Sequence, residues 1–270
     1  MLRRSIQTLQ EMLPYISSLQ TSINTLTQLS SDSKEELITA MSNLHLQQMF
    51  APDIKKKFRE NFTKAVKGYH MLNDTPIKEA RWEDVNATIL EASGFPVVSQ
   101  NGSHVSGADL TCSFGSLSNK SMKYNKDSNG FDMSSYRLTS VTSAGSHGTA
   151  EEIIAEIQKR KNFQYYSIII RKELETTDYD WYLIPADHPS LDPASYEWQL
   201  MMGKTGKNKD KVIGWETNSL QGSYMTITFS MSSQLWVHVS SVMNMEEYKM
   251  GSASSVPRKY NYIQLFERDL

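Results

Sequence analysis

Thiol chemistry is almost absent from this 270-residue chain: Cys112 is its one cysteine. A disulfide framework and a cysteine-based zinc site are therefore both excluded. The six histidines (His45, His70, His104, His147, His188 and His238) are scattered, and none forms an HExxH or other tight ligand pair, so no histidine metal site is expected. Charge of one sign is also lacking. Twenty-eight Lys and Arg against 30 Asp and Glu leave a net charge of −2. No global basic field announces nucleic acid, and any such contact must come from a local patch. The basic start, Met1-Leu2-Arg3-Arg4, has no continuous apolar region behind it. Neither a signal peptide nor a membrane span is expected, and the expected location is cytoplasmic. No Gly-x-Ser-x-Gly elbow is present, and the glycine that a P-loop requires ahead of Gly203-Lys204-Thr205 is Trp198 instead. Repeats and low-complexity tracts are missing too.

What remains is ordinary globular material, 39% hydrophobic and 21% charged, too apolar for disorder. Residues 1 to about 93 read as helical. Leu2, Ile6, Leu9, Leu13 and Ile16 make an apolar stripe that Leu19, Ile23 and Leu26 continue, with Pro14 interrupting it. The stripe suits packing within the domain or dimerisation. Ser33 and Glu36 form a capping box for a second helix through Met49. A third helix carries Lys55-Lys56-Lys57 and ends near Leu72. Thr75-Pro76 is read as the start of a fourth, with Trp82, Val85 and Ile89 as its buried stripe and Gly94 as its end.

The pattern changes at Gly94. β-like runs follow at Pro96–Val98, Ala108–Cys112, Ser116–Tyr124 and Tyr136–Val141, then a helix at Thr149–Lys161. Tyr165–Ile170 is continuously apolar, as a central strand would be, and residues 180–184 pair with it. Residues 185–222 read as loops, and Tyr224–Ser230 with Leu235–Val239 as a late hairpin. This order predicts an α/β fold, a central mixed β-sheet flanked by helices, with an N-terminal helical region. Residues 1–74 would be that region, and 75–270 the core with a C-terminal β-rich part.

The most informative stretch is Gly107-Ala108-Asp109-Leu110-Thr111-Cys112 followed by Leu117-Ser118-Asn119-Lys120-Ser121. Asp109 sits on one short strand, a turn at Phe114-Gly115 reverses the chain, and period-two alternation puts Ser118 and Lys120 on one face of the next. An acid to hold Mg²⁺ and an ammonium to polarise a water are the minimum equipment for phosphodiester hydrolysis. An Asp and a Lys on adjacent strands also form simple salt bridges, and that reading stays open.

Taken together, the helix Glu79–Ser93, the strands with Asp109 and with Ser118 and Lys120, the helix 149–161 and the strand 165–170 resemble the PD-(D/E)XK nuclease superfamily. The likeness is to type II restriction endonucleases in particular, over roughly residues 75 to 185. The resemblance implies that Asp109 binds metal and Lys120 closes the motif, with Lys123 its rival for that role. Ser118 falls where the family usually has Glu or Asp, and Ala108 replaces the usual proline. A hydroxyl brings no charge to a divalent cation, so the resemblance implies a carboxylate recruited from a helix. The candidates are Glu83, Glu91, Glu151 and Glu152. Glu83 is favoured because it follows Trp82, which would hold it firmly if the indole is buried.

The implied activity is Mg²⁺-dependent, sequence-specific cleavage of double-stranded DNA by a homodimer, with two active sites for two strands. Other PD-(D/E)XK nucleases and a non-catalytic α/β binding protein are the rivals. DNA contacts are expected from Lys123, from Tyr136 and Arg137, and from the loop bearing Lys204, Lys207, Lys209 and Lys211. Gln234 could read a base edge, or open the strand that buries Trp236.

Overall fold

The computed structural model describes residues 51–100, 107–142, 147–229, 233–240 and 242–267. The expected stripe of residues 2–26 and the Ser33/Glu36 box lie outside them. Pro52–Leu270 forms one compact unit. It begins with helix α1 (Pro52–Leu72), whose buried residues Phe58, Phe62, Val66 and His70 recur every fourth position and so share one face. Phe58 and Phe62 meet Trp181 with ring centroids 5.2 and 5.6 Å apart. Part of the expected N-terminal helical region is thus packed onto the core.

Helix α2 (Glu79–Ala92) begins later than Thr75-Pro76 predicts, with Lys78 at the N-cap and no side-chain cap. Tertiary bonds explain the delay. Ile77, fully buried, donates its N–H to the Tyr179 hydroxyl at 3.0 Å, and its carbonyl accepts from Ser121 Oγ at 2.7 Å. With the Ile77 carbonyl taken by Ser121, the Arg81 and Trp82 N–H groups close on the Lys78 carbonyl at 2.9 and 2.8 Å, and the helix starts there. Gly94 ends α2 as expected: at φ +95° it turns the chain so that Phe95 N–H reaches the Leu90 carbonyl at 2.9 Å.

The sheet is mixed and mostly antiparallel. Its short first strands, β1 (Val97–Gln100) and β2 (Leu110–Cys112), lead into the long β3 (Gly115–Asn125). β3 pairs with β2 along its first part, with β4 (Gly130–Arg137) at its far end, and with β5 (Tyr165–Glu173) in parallel along its other edge. A parallel pair needs a crossover, and α3 (Ala150–Arg160) lies within it, capped by the reciprocal Thr149–Glu152 box. β5 is central as expected: Tyr165 to Ile170 are all buried, between β3 and the antiparallel β6 (Thr177–Pro185).

Beyond β4 the sheet continues through strands that include the expected hairpin, β9 (Tyr224–Thr228) and β10 (Gln234–Val239). Residues 185–222 depart from the loop reading, because they contain β7 (Trp198–Met202) and β8 (Val212–Thr217), an antiparallel pair. Most of β7 is exposed, so it lacks the alternation that marks a half-buried strand. β11 (Lys249–Ser254) was not legible either. It holds Ser252, Ser254 and Gly251, and Gly251 lets α1 approach closely, since a Cβ there would lie 3.2 Å from the Arg59 backbone. β4 starts and ends earlier than the expected run at 136–141, since Leu138 N–H turns to the Ser233 carbonyl and starts a turn through Thr142. Trp236 is 37% exposed rather than buried, because Leu235, Val237 and Val239 hold the core parity of β10.

Candidate active site

Three elements converge on Asp109. The residue lies just before β2, and its N–H donates to the Leu117 carbonyl at 2.9 Å, which ties it to β3. One carboxylate oxygen, Oδ2, accepts the Asn119 backbone N–H at 2.6 Å and the Ser118 hydroxyl at 3.2 Å. Ser118, where an acid was missing, therefore acts as a hydrogen-bond donor to the aspartate. Both bonds favour the ionised form, as does nearby Lys120, yet burial outweighs them and holds the Asp109 carboxyl above its ordinary range.

The helix α2 supplies the opposing wall. Trp82 is fully buried, donates its indole N–H to the Ser167 carbonyl at 3.0 Å and packs edge-on against Phe62 and Trp181. That anchor holds the helical turn that carries Glu83. Glu83 is half-buried and pushed up to about 7, first by burial and then by the negative charges of Asp109 and Glu79, with Lys120 opposing. Of the helix carboxylates considered from sequence, Glu83 is thus the one coupled to Asp109. Glu91, Glu151 and Glu152 are exposed, and Asp109 is not among the causes acting on Glu151.

Lys120 does not pair with Asp109. Its Nζ sits 2.5 Å from Glu79 Oε1, with the lysine side chain 14% exposed. Glu79 is the residue that sequence reasoning missed, although the signal was present: it stands one helical turn before Glu83, four residues away on the same face. Lys123 points elsewhere, 67% exposed and 3.4 Å from Glu173. Together Glu79, Glu83, Asp109 and Lys120 form a cluster of three carboxylates with one ammonium.

The acids meet electrostatically without forming a full coordination shell: among the described residues, no three His, Cys, Asp or Glu side chains are grouped to hold a metal ion. Mg²⁺ asks for less. It keeps most of its waters and commonly takes one or two protein carboxylates plus substrate phosphate oxygens. Asp109 and Glu83 are hard oxygen donors, Glu83 raised first by burial and then by the charge of Asp109, and they fit that demand chemically.

The expected DNA-binding residues are spread over the rest of the unit. Lys204, Lys207, Lys209 and Lys211 are exposed between β7 and β8, closed at the base by a bridge between Gly203 and Lys209. Arg137 is exposed at the end of β4, whereas the Tyr136 hydroxyl is buried. The Gln234 amide nitrogen donates to the Ser135 carbonyl at 3.0 Å, a tie from β10 to β4.

One rival constellation exists. The His238 ring bridges Asp132 (Nδ1 to Oδ1, 2.7 Å) and Thr226 (Nε2 to Oγ1, 3.0 Å). Hydroxyl, imidazole and carboxylate in line suggest nucleophilic catalysis. Here, however, Thr226 lies within β9, paired with β10 on one side and β8 on the other. Strand ladders consume the backbone N–H groups that an oxyanion hole would need, so this line reads as a cross-strand network. No family model, curated protein or solved structure matches the chain.

Proposed function

We propose that the chain is a Mg²⁺-dependent endonuclease of double-stranded DNA, of the restriction type and working as a homodimer. The observation that carries this reading is the convergence of Glu83 and Asp109, two repelling carboxylates, beside Lys120 on β3. Like charges are held together at a cost, and a site for a divalent cation is where that cost is recovered.

Bound between Asp109 and Glu83, Mg²⁺ would supply positive charge to offset the negative charge that builds on a scissile phosphate. The chain's own residues do the rest. The Asn119 N–H and the Ser118 hydroxyl hold the Asp109 carboxylate in one orientation through Oδ2. Lys120 is kept close by Glu79 at 2.5 Å, and on entry of a phosphate it can exchange that partner and orient the attacking water. The lysines at 204, 207, 209 and 211 hold the DNA backbone without reading sequence.

Incubation of the protein with plasmid DNA and Mg²⁺ tests the reading. Discrete bands support a restriction enzyme, and a smear or preference for branched substrates supports a repair-type nuclease. Absence of cleavage would leave a binding protein in which Glu79–Lys120 is a plain ion pair. Asp109→Asn and Lys120→Ala should each lower single-turnover cleavage by roughly 100- to 1,000-fold or more with the fold intact. Near-normal cleavage by either variant overturns the assignment.

A further inference from the structure

Below the acidic cluster, Asn86 on α2 and Asn119 on β3 are both 0% exposed, and Asn86 Nδ2 donates to Asn119 Oδ1 at 2.6 Å. The other half of each amide, Asn86 Oδ1 and Asn119 Nδ2, is buried with no hydrogen-bond partner. Such orphaned groups carry a desolvation penalty, and an apolar pair of the same shape would avoid it. Stability alone does not account for the two amides. Their placement does. Asn86 follows Glu79 and Glu83 at spacings of seven and three, on the same helical stripe. Asn119 gives its backbone N–H to Asp109 at 2.6 Å, and its chain neighbours are Ser118, which also donates to Asp109, and Lys120, which pairs with Glu79.

We infer that Asn86 and Asn119 are positioning residues, a buried clamp that sets the register of the helix bearing Glu79 and Glu83 against the strand bearing Ser118 and Lys120. Apolar surfaces attract without direction, so two packed elements can slide. A short hydrogen bond between two enclosed amides allows one register only. The clamp holds the helix carboxylates opposite Asp109 against their mutual repulsion. Its functional consequence rests on the Mg²⁺-nuclease reading, whereas its geometric consequence does not.

The test is the double variant Asn86→Leu/Asn119→Leu, near-isosteric and apolar. Its thermal midpoint should equal or exceed that of the native protein, because both partners are replaced at once. Despite this, hydrogen exchange at the residue-119 amide should accelerate at least about tenfold relative to the residue-122 amide on the same strand, as the bond to Asp109 loosens. Calorimetric Mg²⁺ affinity should fall about tenfold to a hundredfold, the usual effect of losing a group that orients a ligand. In cleavage, kcat should drop while KM for DNA stays constant. Asn86→Ser, which removes the amide and keeps a hydroxyl, provides the same readouts if the double variant does not fold. Retained protection at residue 119 in a folded variant overturns the clamp, and so does uniform loss of protection along β3 with a lowered midpoint, which marks a merely structural pair. Native protein that neither binds Mg²⁺ nor cuts DNA refutes the nuclease reading instead, and the exchange data still decide the clamp.

Discussion

Replacing Glu83 with Gln should make the protein more stable in alkali and leave it unchanged in acid. Glu83 is pushed from 4.5 up to about 7. A carboxyl raised in the folded state binds its proton more tightly there than in the unfolded chain. Its favourable contribution is fully present below about 4.5 and is lost as pH rises through about 7. Undiluted, that displacement is worth about 3 kcal/mol. Glu83 is only half-buried, and screening by water reduces the figure to about 1–2 kcal/mol. The neutral Gln neither ionises nor repels Asp109 and Glu79. Urea unfolding at pH 4, below the unfolded value, should therefore give nearly equal stabilities, and at pH 8 the variant should lead by about 1–2 kcal/mol. Mg²⁺ should reverse the order: at 100 times its dissociation constant it would stabilise the native protein at pH 8 by about 2.7 kcal/mol, and the variant by much less. Parallel stability curves across this pH range would refute the claim that burial and neighbouring charge raise the Glu83 carboxyl.

Two further outcomes follow from the placement of particular side chains. Alanine at Lys204, Lys207, Lys209 and Lys211 should weaken binding to cognate and scrambled duplexes alike and reduce the slope of log K against log salt by about 0.9 for each phosphate left without its lysine; titrations at two salt concentrations read both, and an unchanged slope removes the loop from the interface. Trp82→Phe should cost about 1–3 kcal/mol in urea unfolding, since it leaves the buried Ser167 carbonyl without the indole N–H, and an unchanged midpoint would show that bond to be dispensable.

How much of this was legible from the chain depends on the range of the interaction concerned. Local signals carried the element types. The third helix ending near Leu72, the Gly94 stop and the unbroken apolar run Tyr165–Ile170 place their elements with no partner needed. The hairpin that sets Asp109 against Ser118 and Lys120 was legible for the same reason, because a short turn fixes its own register. Tertiary structure decided the partners. Nothing local in Ile77 says that the Tyr179 hydroxyl and Ser121 will occupy its backbone and delay the helix, and nothing local in Trp236 sets its parity to solvent. Lys120 chose Glu79 over Asp109, Ser118 became a donor to the acid, and Asn86 found Asn119 only once α2 had docked on β3. Charge, hydroxyl and amide groups bond whatever the fold brings within about 3 Å. The sequence by itself determined which groups were available, and the packing of one helix against one strand determined which of them meet.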